Sequence, residues 1–268
     1  MRGFAVASVV LLALAVSTLC GANPAPSLVG PTGLITVPNT EVVGQNAVDV
    51  GAHFYSIDGT DARIWHANVG LCDQVELTVA WGVLDENSFE FEDTTFGVKW
   101  AALAEPDDDI GLAVGVYNIG AKETTWFLEA DGRSEITDID DVDGPIWYFV
   151  LSKSLHDLSL EGKRPIRVLA GLELADDAYG PTGIKANALG YNRWDTGFGD
   201  DSPNFFVGLD AEVADWLTLV IDTNEFDDFN WGGRFNVTDE WSVDLLGLDF
   251  WGETTRFVVG TAYHVTWD

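Results

Sequence analysis

Val75-Glu-Leu-Thr-Val-Ala-Trp-Gly-Val83 decides how the rest of the chain is read. Val75, Leu77, Val79, Trp81 and Val83 point to one side of an extended strand. Glu76, Thr78, Ala80 and Gly82 point to the other, because side chains alternate faces along a β-strand. The pattern repeats outward in both directions. Upstream lie Val48, Val50, Ala52 and Phe54, then Trp65, Ala67, Val69 and Leu71. Downstream come Phe96, Val98 and Trp100, then Ile110, Leu112, Val114 and Val116. Alternation resumes over Ile166 to Leu174, Phe205 to Val213, Leu217 to Ile221, Trp231 to Val237, Trp241 to Leu245 and Phe257 to Trp267. Residues 146–155 are apolar on both faces, so their orientation stays open. That gives twelve strands, and no sustained helical period appears outside the N-terminus.

Residues 1–22 read as a secretory signal: Arg2, an apolar run from Phe4 to Leu19, and small residues before Asn23. Residues 23–45 are apolar and rich in Pro and Gly without alternation, and fit a segment folded into a barrel lumen as a plug. Residues 46–268 form the strand-bearing domain. No later segment reaches the ~18 apolar residues of a membrane-crossing helix, but a spanning strand needs only about 9–11 residues. Only Cys72 remains outside the leader, so no intrachain disulfide is expected. The net charge of −31 argues against nucleic acid as a partner. It suits either cation binding or a saline habitat.

Alternation alone fits a β-sandwich as well as a barrel. Three features favour an antiparallel up-and-down transmembrane β-barrel. The faces opposite the apolar ones are rich in small residues, among them Gly70, Ala80, Gly97, Gly111, Gly208 and Gly260, which suit a crowded interior. Tight connections (Cys72-Asp73-Gln74, Ala214-Asp215-Trp216, Thr238-Asp239-Glu240) fall at one end, and long acidic ones (120–145, 175–203) at the other, as outer-membrane barrels arrange them. Tryptophans gather near both strand ends, as in aromatic girdles. The final strand alternates to Trp267, followed by Asp268, and resembles the C-terminal signal read by the barrel-assembly machinery. The expected location is the outer membrane of a diderm bacterium.

Gly30-Pro-Thr-Gly-Leu-Ile-Thr-Val-Pro-Asn-Thr-Glu-Val42 resembles the opening of YjbH-like outer-membrane proteins. Val69–Thr78, Thr95–Trp100, Gly115–Gly120 and Tyr148–Ser154 look like that family's successive hairpins, over residues 30–175. The resemblance implies a role in exopolysaccharide production or export, with polysaccharide or envelope export proteins as partners. It brings no catalytic residue.

Candidate sites are few. His53, His66 and His264 fall on inward faces of strands one, two and twelve, which become neighbours when a barrel closes. A first hairpin centred near 58–59 sets His53 and His66 diagonally across from each other. Imidazoles so placed can bind a transition metal or move protons, or simply line a polar lumen. Asp138, Asp140, Asp141 and Asp143 precede Gly144 in a spacing that can wrap Ca²⁺, although no Glu lies in EF-hand register. Inward faces also carry Asp49, Glu76, Lys99, Arg167, Glu173, Asp210, Glu212, Asp222, Arg234 and Asp244. An open lumen so lined favours cations, and a closed one holds them as internal pairs. No catalytic residue, cofactor or metal is assigned. The expected function is non-enzymatic: porin-like small-solute passage or support of exopolysaccharide export, with outer-membrane lipid as the surrounding partner. The alternatives are a secreted carbohydrate-binding sandwich, with Trp126, Tyr191 and Trp194 as loop aromatics, and an outer-membrane barrel hydrolase. No Gly-x-Ser-x-Gly phrase supports the latter.

Overall fold

The computed structural model describes residues 25–57, 60–86, 89–103, 110–120, 126–128, 134–136, 145–158, 166–174, 204–224, 228–248 and 256–267. The leader, the aspartates of 138–143, Tyr191 and Trp194 lie outside the described residues. Among the described residues fourteen strands run in chain order: β1 (Ala47–Ile57), β2 (Thr60–Cys72), β3 (Val75–Glu86), β4 (Phe89–Leu103), β5 (Ile110–Ile119), β6 (Trp126–Leu128), β7 (Ser134–Ile136), β8 (Ile146–Leu155), β9 (Ile166–Leu174), β10 (Asn204–Ala214), β11 (Leu217–Asn224), β12 (Asp228–Asn236), β13 (Trp241–Leu248) and β14 (Arg256–Thr266).

All but β6 and β7 belong to one antiparallel sheet. Each strand pairs with its sequence neighbour, and β1 pairs with β14, so twelve strands close on themselves. Closure overturns the sandwich alternative, which needs two sheets with free edges. β6 and β7 pair with each other, in a small hairpin between β5 and β8 that the alternation did not announce.

Val75–Val83 shows how the wall is built. Leu77, Val79 and Trp81 lie exposed on the outside, while Glu76, Thr78 and Ala80 are buried within. Val50, Val98, Leu151, Leu219 and Ile221 extend this outward apolar surface around the barrel. Trp147 and Trp231 stand out near the long-loop end, and Trp100, Trp241 and Trp267 near the tight-turn end. β8 resolves its ambiguity: Trp147 and Leu151 face out, and Tyr148, Val150 and Ser152 face in. A bulge in β5 matches Val98 to Val116 but Phe96 to Ile119. Asn118 takes φ 63° there, a left-handed conformation that asparagine tolerates better than most residues. Tyr117 keeps its inward place, Asn118 is buried beside it as the extra residue, and Ile119 returns to the outside.

The interior is less polar than the small-residue pattern implied. Tyr55, Ile64, Val150, Phe206, Leu246 and Val258 point inward and pack on Leu28, Leu34, Ile35 and Val37. Residues 25–43 thus occupy the lumen. This is why β8 can be apolar on both faces: one meets the surroundings, the other the inserted segment.

Candidate functional site

The segment from Ala25 to Val43 turns back on itself through backbone bonds: Leu28 N–H to Ile35 O (2.8 Å), Gly33 N–H to Ala25 O (3.0 Å) and Leu34 N–H to Val37 O (3.0 Å). It still leaves several N–H groups without partners of its own, and a buried backbone donor must find an acceptor. The barrel wall supplies them. Glu76 on β3 accepts from Thr32 N (2.9 Å), Val43 N (2.9 Å) and the Thr32 hydroxyl. Lys99 on β4 donates to Thr32 O at 2.7 Å. Its ammonium lies 3.7 Å from Glu76, with both side chains wholly buried. At 3.7 Å the two attract without a direct hydrogen bond, so the segment's backbone completes their polar shell.

A second grip lies across the lumen. One carboxylate oxygen of Asp222 on β11 accepts from the consecutive N–H groups of Ile35 and Thr36, each at 2.8 Å. Such paired amides form a concave anion site. Asn230 on β12 donates to Asp222 (2.9 Å) and to the Thr36 hydroxyl (3.1 Å). Nearer the tight-turn end, Arg167 on β9 bridges Glu41 of the segment (2.9 Å) and Asp210 of β10 (2.8 Å). Thr40 and Ser152 hydroxyls meet at 2.6 Å. The small wall residues have a specific use here. A Cβ on Gly70 would strike the backbone of Val43 and Gly44, and one on Gly111 would strike Thr40.

The histidines divide into two groups. The β1–β2 register sets Gly51 opposite His66 and His53 opposite Ile64, the expected diagonal. His53 Nδ1 and His66 Nε2 lie 3.0 Å apart with the rings edge to face. His53 Nε2 is 3.6 Å from Asp244, which accepts from Arg234 Nε at 3.1 Å. If His66 Nε2–H donates to His53 Nδ1, then His53 Nε2–H faces Asp244. His66 Nδ1 is left as a buried acceptor with no partner among the described residues. His264 does not join them: it is bonded to Asp49, directly opposite on β1. Asp244–His53–His66 has the carboxylate–imidazole order of an acid–base relay, but it ends in a second imidazole where such relays place a nucleophile. Among the described residues, no three His, Cys, Asp or Glu side chains are grouped to hold a metal ion.

Alternation placed Glu76, Lys99, Arg167 and Asp222 inside, but it did not reveal that they hold residues 32–43. The available signal was indirect: four wall charges facing a stretch whose backbone donors had no strand partner.

No family model matches the chain, and no curated relative matches it. Among solved structures it is similar to the KdgM porin, at 8% identity and TM-score 0.51, over 81% of this chain and 98% of that one. It is also similar to the NanC porin (11% identity, 81% and 98% covered, TM-score 0.44). A third is an outer membrane channel from Pseudomonas putida F1 (11% identity, 87% and 100% covered, TM-score 0.46). The likeness to the KdgM porin is one of fold: both are closed β-barrels.

Proposed function

We propose that this protein is a non-enzymatic outer-membrane barrel whose lumen is shut at rest by residues 25–44, and which passes small polar solutes when that segment is displaced. The observation that carries this reading is the bonding of Glu76, Lys99, Asp222 and Arg167 to the inserted segment. The outward apolar wall supports a lipid surrounding, since a soluble barrel exposing such a band would aggregate. Among the described residues the buried His53–His66 pair has no nucleophile beside it, which gives a hydrolytic role no support. The YjbH-like opening points to exopolysaccharide export as the process served.

The test is conductance in planar bilayers, comparing the full chain with one lacking residues 24–44. Full-length protein should be closed and the shortened protein should conduct. Equal conductance from both removes the gating role. A strain lacking the protein, scored for surface polysaccharide, tests the process: unchanged polysaccharide argues for solute passage alone.

A further inference from the structure

The outward wall carries charge at only a few described positions. Away from the strand ends, the outward side chains that are described are almost all uncharged. The charged positions include two cations: Arg63 toward the long-loop end and Lys153 toward the tight-turn end. Lys153 is exposed and makes no hydrogen bond or ion pair among the described residues. An ammonium facing hydrocarbon is costly, and one near a strand end relieves the cost by extending to the headgroup layer. The anions available in that layer are lipid phosphates.

Lys153 also lines one side of a groove. A concavity of about 660 Å³ crosses the outside of β8–β11. One ladder row of its lining runs Lys153, Val168, Leu209, Ile221, and the next runs Leu151, Ala170, Val207, Thr223. The hollow follows from side-chain size. Ala170 stands exposed between Leu151 and Val207, where larger neighbours would otherwise make a flush wall. The exposed lining is almost wholly apolar, with Lys153 on its border, and the Asp222 carboxylate behind it is turned into the lumen.

We propose that this groove is a binding site for one phospholipid with a net-negative headgroup, the phosphate on Lys153 and an acyl chain along Ala170. The inference rests on the membrane-spanning reading of the barrel. A zwitterionic lipid brings its own ammonium against Lys153 and binds less well. A lone lysine at a membrane surface accounts for roughly a five-fold preference.

The experiment is native mass spectrometry of the full-length protein in detergent, titrated with dioleoyl phosphatidylglycerol or dioleoyl phosphatidylethanolamine. The wild type should retain one phosphatidylglycerol in preference to phosphatidylethanolamine. Lys153→Gln should abolish the preference, Lys153→Arg should keep it, and Ala170→Phe should block occupancy by either lipid. Equal retention by wild type and Lys153→Gln, or retention without headgroup preference, overturns the proposal. The same samples are run unboiled and boiled on a gel. A protein that stays soluble without detergent and shows no heat shift defeats the membrane reading itself. A heat-shifting barrel that ignores headgroup charge defeats only the lipid site.

Discussion

Lys99 is wholly buried, with its ammonium between the Thr32 carbonyl and the Glu76 carboxylate. Removing one partner of a buried ion pair strands the other, at a cost of about 3–5 kcal/mol. Lys99→Met should therefore lower the temperature of the unboiled-to-boiled gel transition sharply. Replacing Lys99 and Glu76 together should not restore it, because Glu76 also accepts from Thr32 and Val43. Restoration to wild-type behaviour would mean that the pair, and not the segment's backbone, is what the two residues serve. Asp222→Ala leaves the Ile35 and Thr36 amides without their acceptor, at about 1–3 kcal/mol for each orphaned group. Hydrogen exchange at residues 35 and 36 should accelerate, and Asp222→Asn should accelerate it less. Exchange unchanged in Asp222→Ala would show that the tip is held by apolar packing alone. These side chains could be placed inside from alternation. Their partners could not, because the bond from Ile35 to Asp222 spans 187 positions, and nothing local in either stretch encodes the other.

The strands were the most legible part of the sequence, since a period of two is a property of each strand by itself. The twelve barrel strands follow the face assignment that Val75–Val83 sets over most of their length, with register shifts at Gly70/Cys72, Ala101/Leu103, Glu212/Ala214 and the β5 bulge. The β6–β7 hairpin escaped notice because three residues per strand are too few to display a period. β8 could not be oriented because its inner face is apolar for a tertiary reason, the presence of Leu34 and Ile35 in the lumen. Two substitutions separate the faces. Val79→Arg puts a charge on the exposed apolar side and should cost about 2–4 kcal/mol near the middle of the bilayer, read as a lowered gel-transition temperature. Gly70→Leu drives a side chain into Val43 and Gly44 and should displace the segment while sparing the sheet. Protease should then cut within residues 25–44 of a protein that still shifts on heating. A segment that stays protected would mean the wall yields instead.

Seen whole, the molecule keeps its described charged side chains inside the lumen or at the strand ends, and presents apolar residues outward. Twelve-strand closure was inferable from an even strand count and the paired aromatic bands. What fills the barrel was only partly inferable, since Pro and Gly without alternation say that residues 23–45 are not a strand but not where they rest. The contacts of that segment also set an order of events. The residues just ahead of β1 lean on β11 and β12, and β1 itself zips to β14, the last strand of the chain. Contacts between sequence-distant parts are slow to form because the chain between them must first be brought into a loop. The first residues of the barrel domain therefore wait for the last, and the segment is on hand while the sheet is still an open ribbon. Seated there before the seam forms, it would act as a mandrel, giving β3, β9 and β11 a common object to meet. Refolding of the chain lacking residues 24–44 into detergent micelles should be slower than that of the full chain, by the time course of the unboiled gel band. Equal rates would make the segment a late passenger, entering through the tight-turn mouth of a barrel already closed.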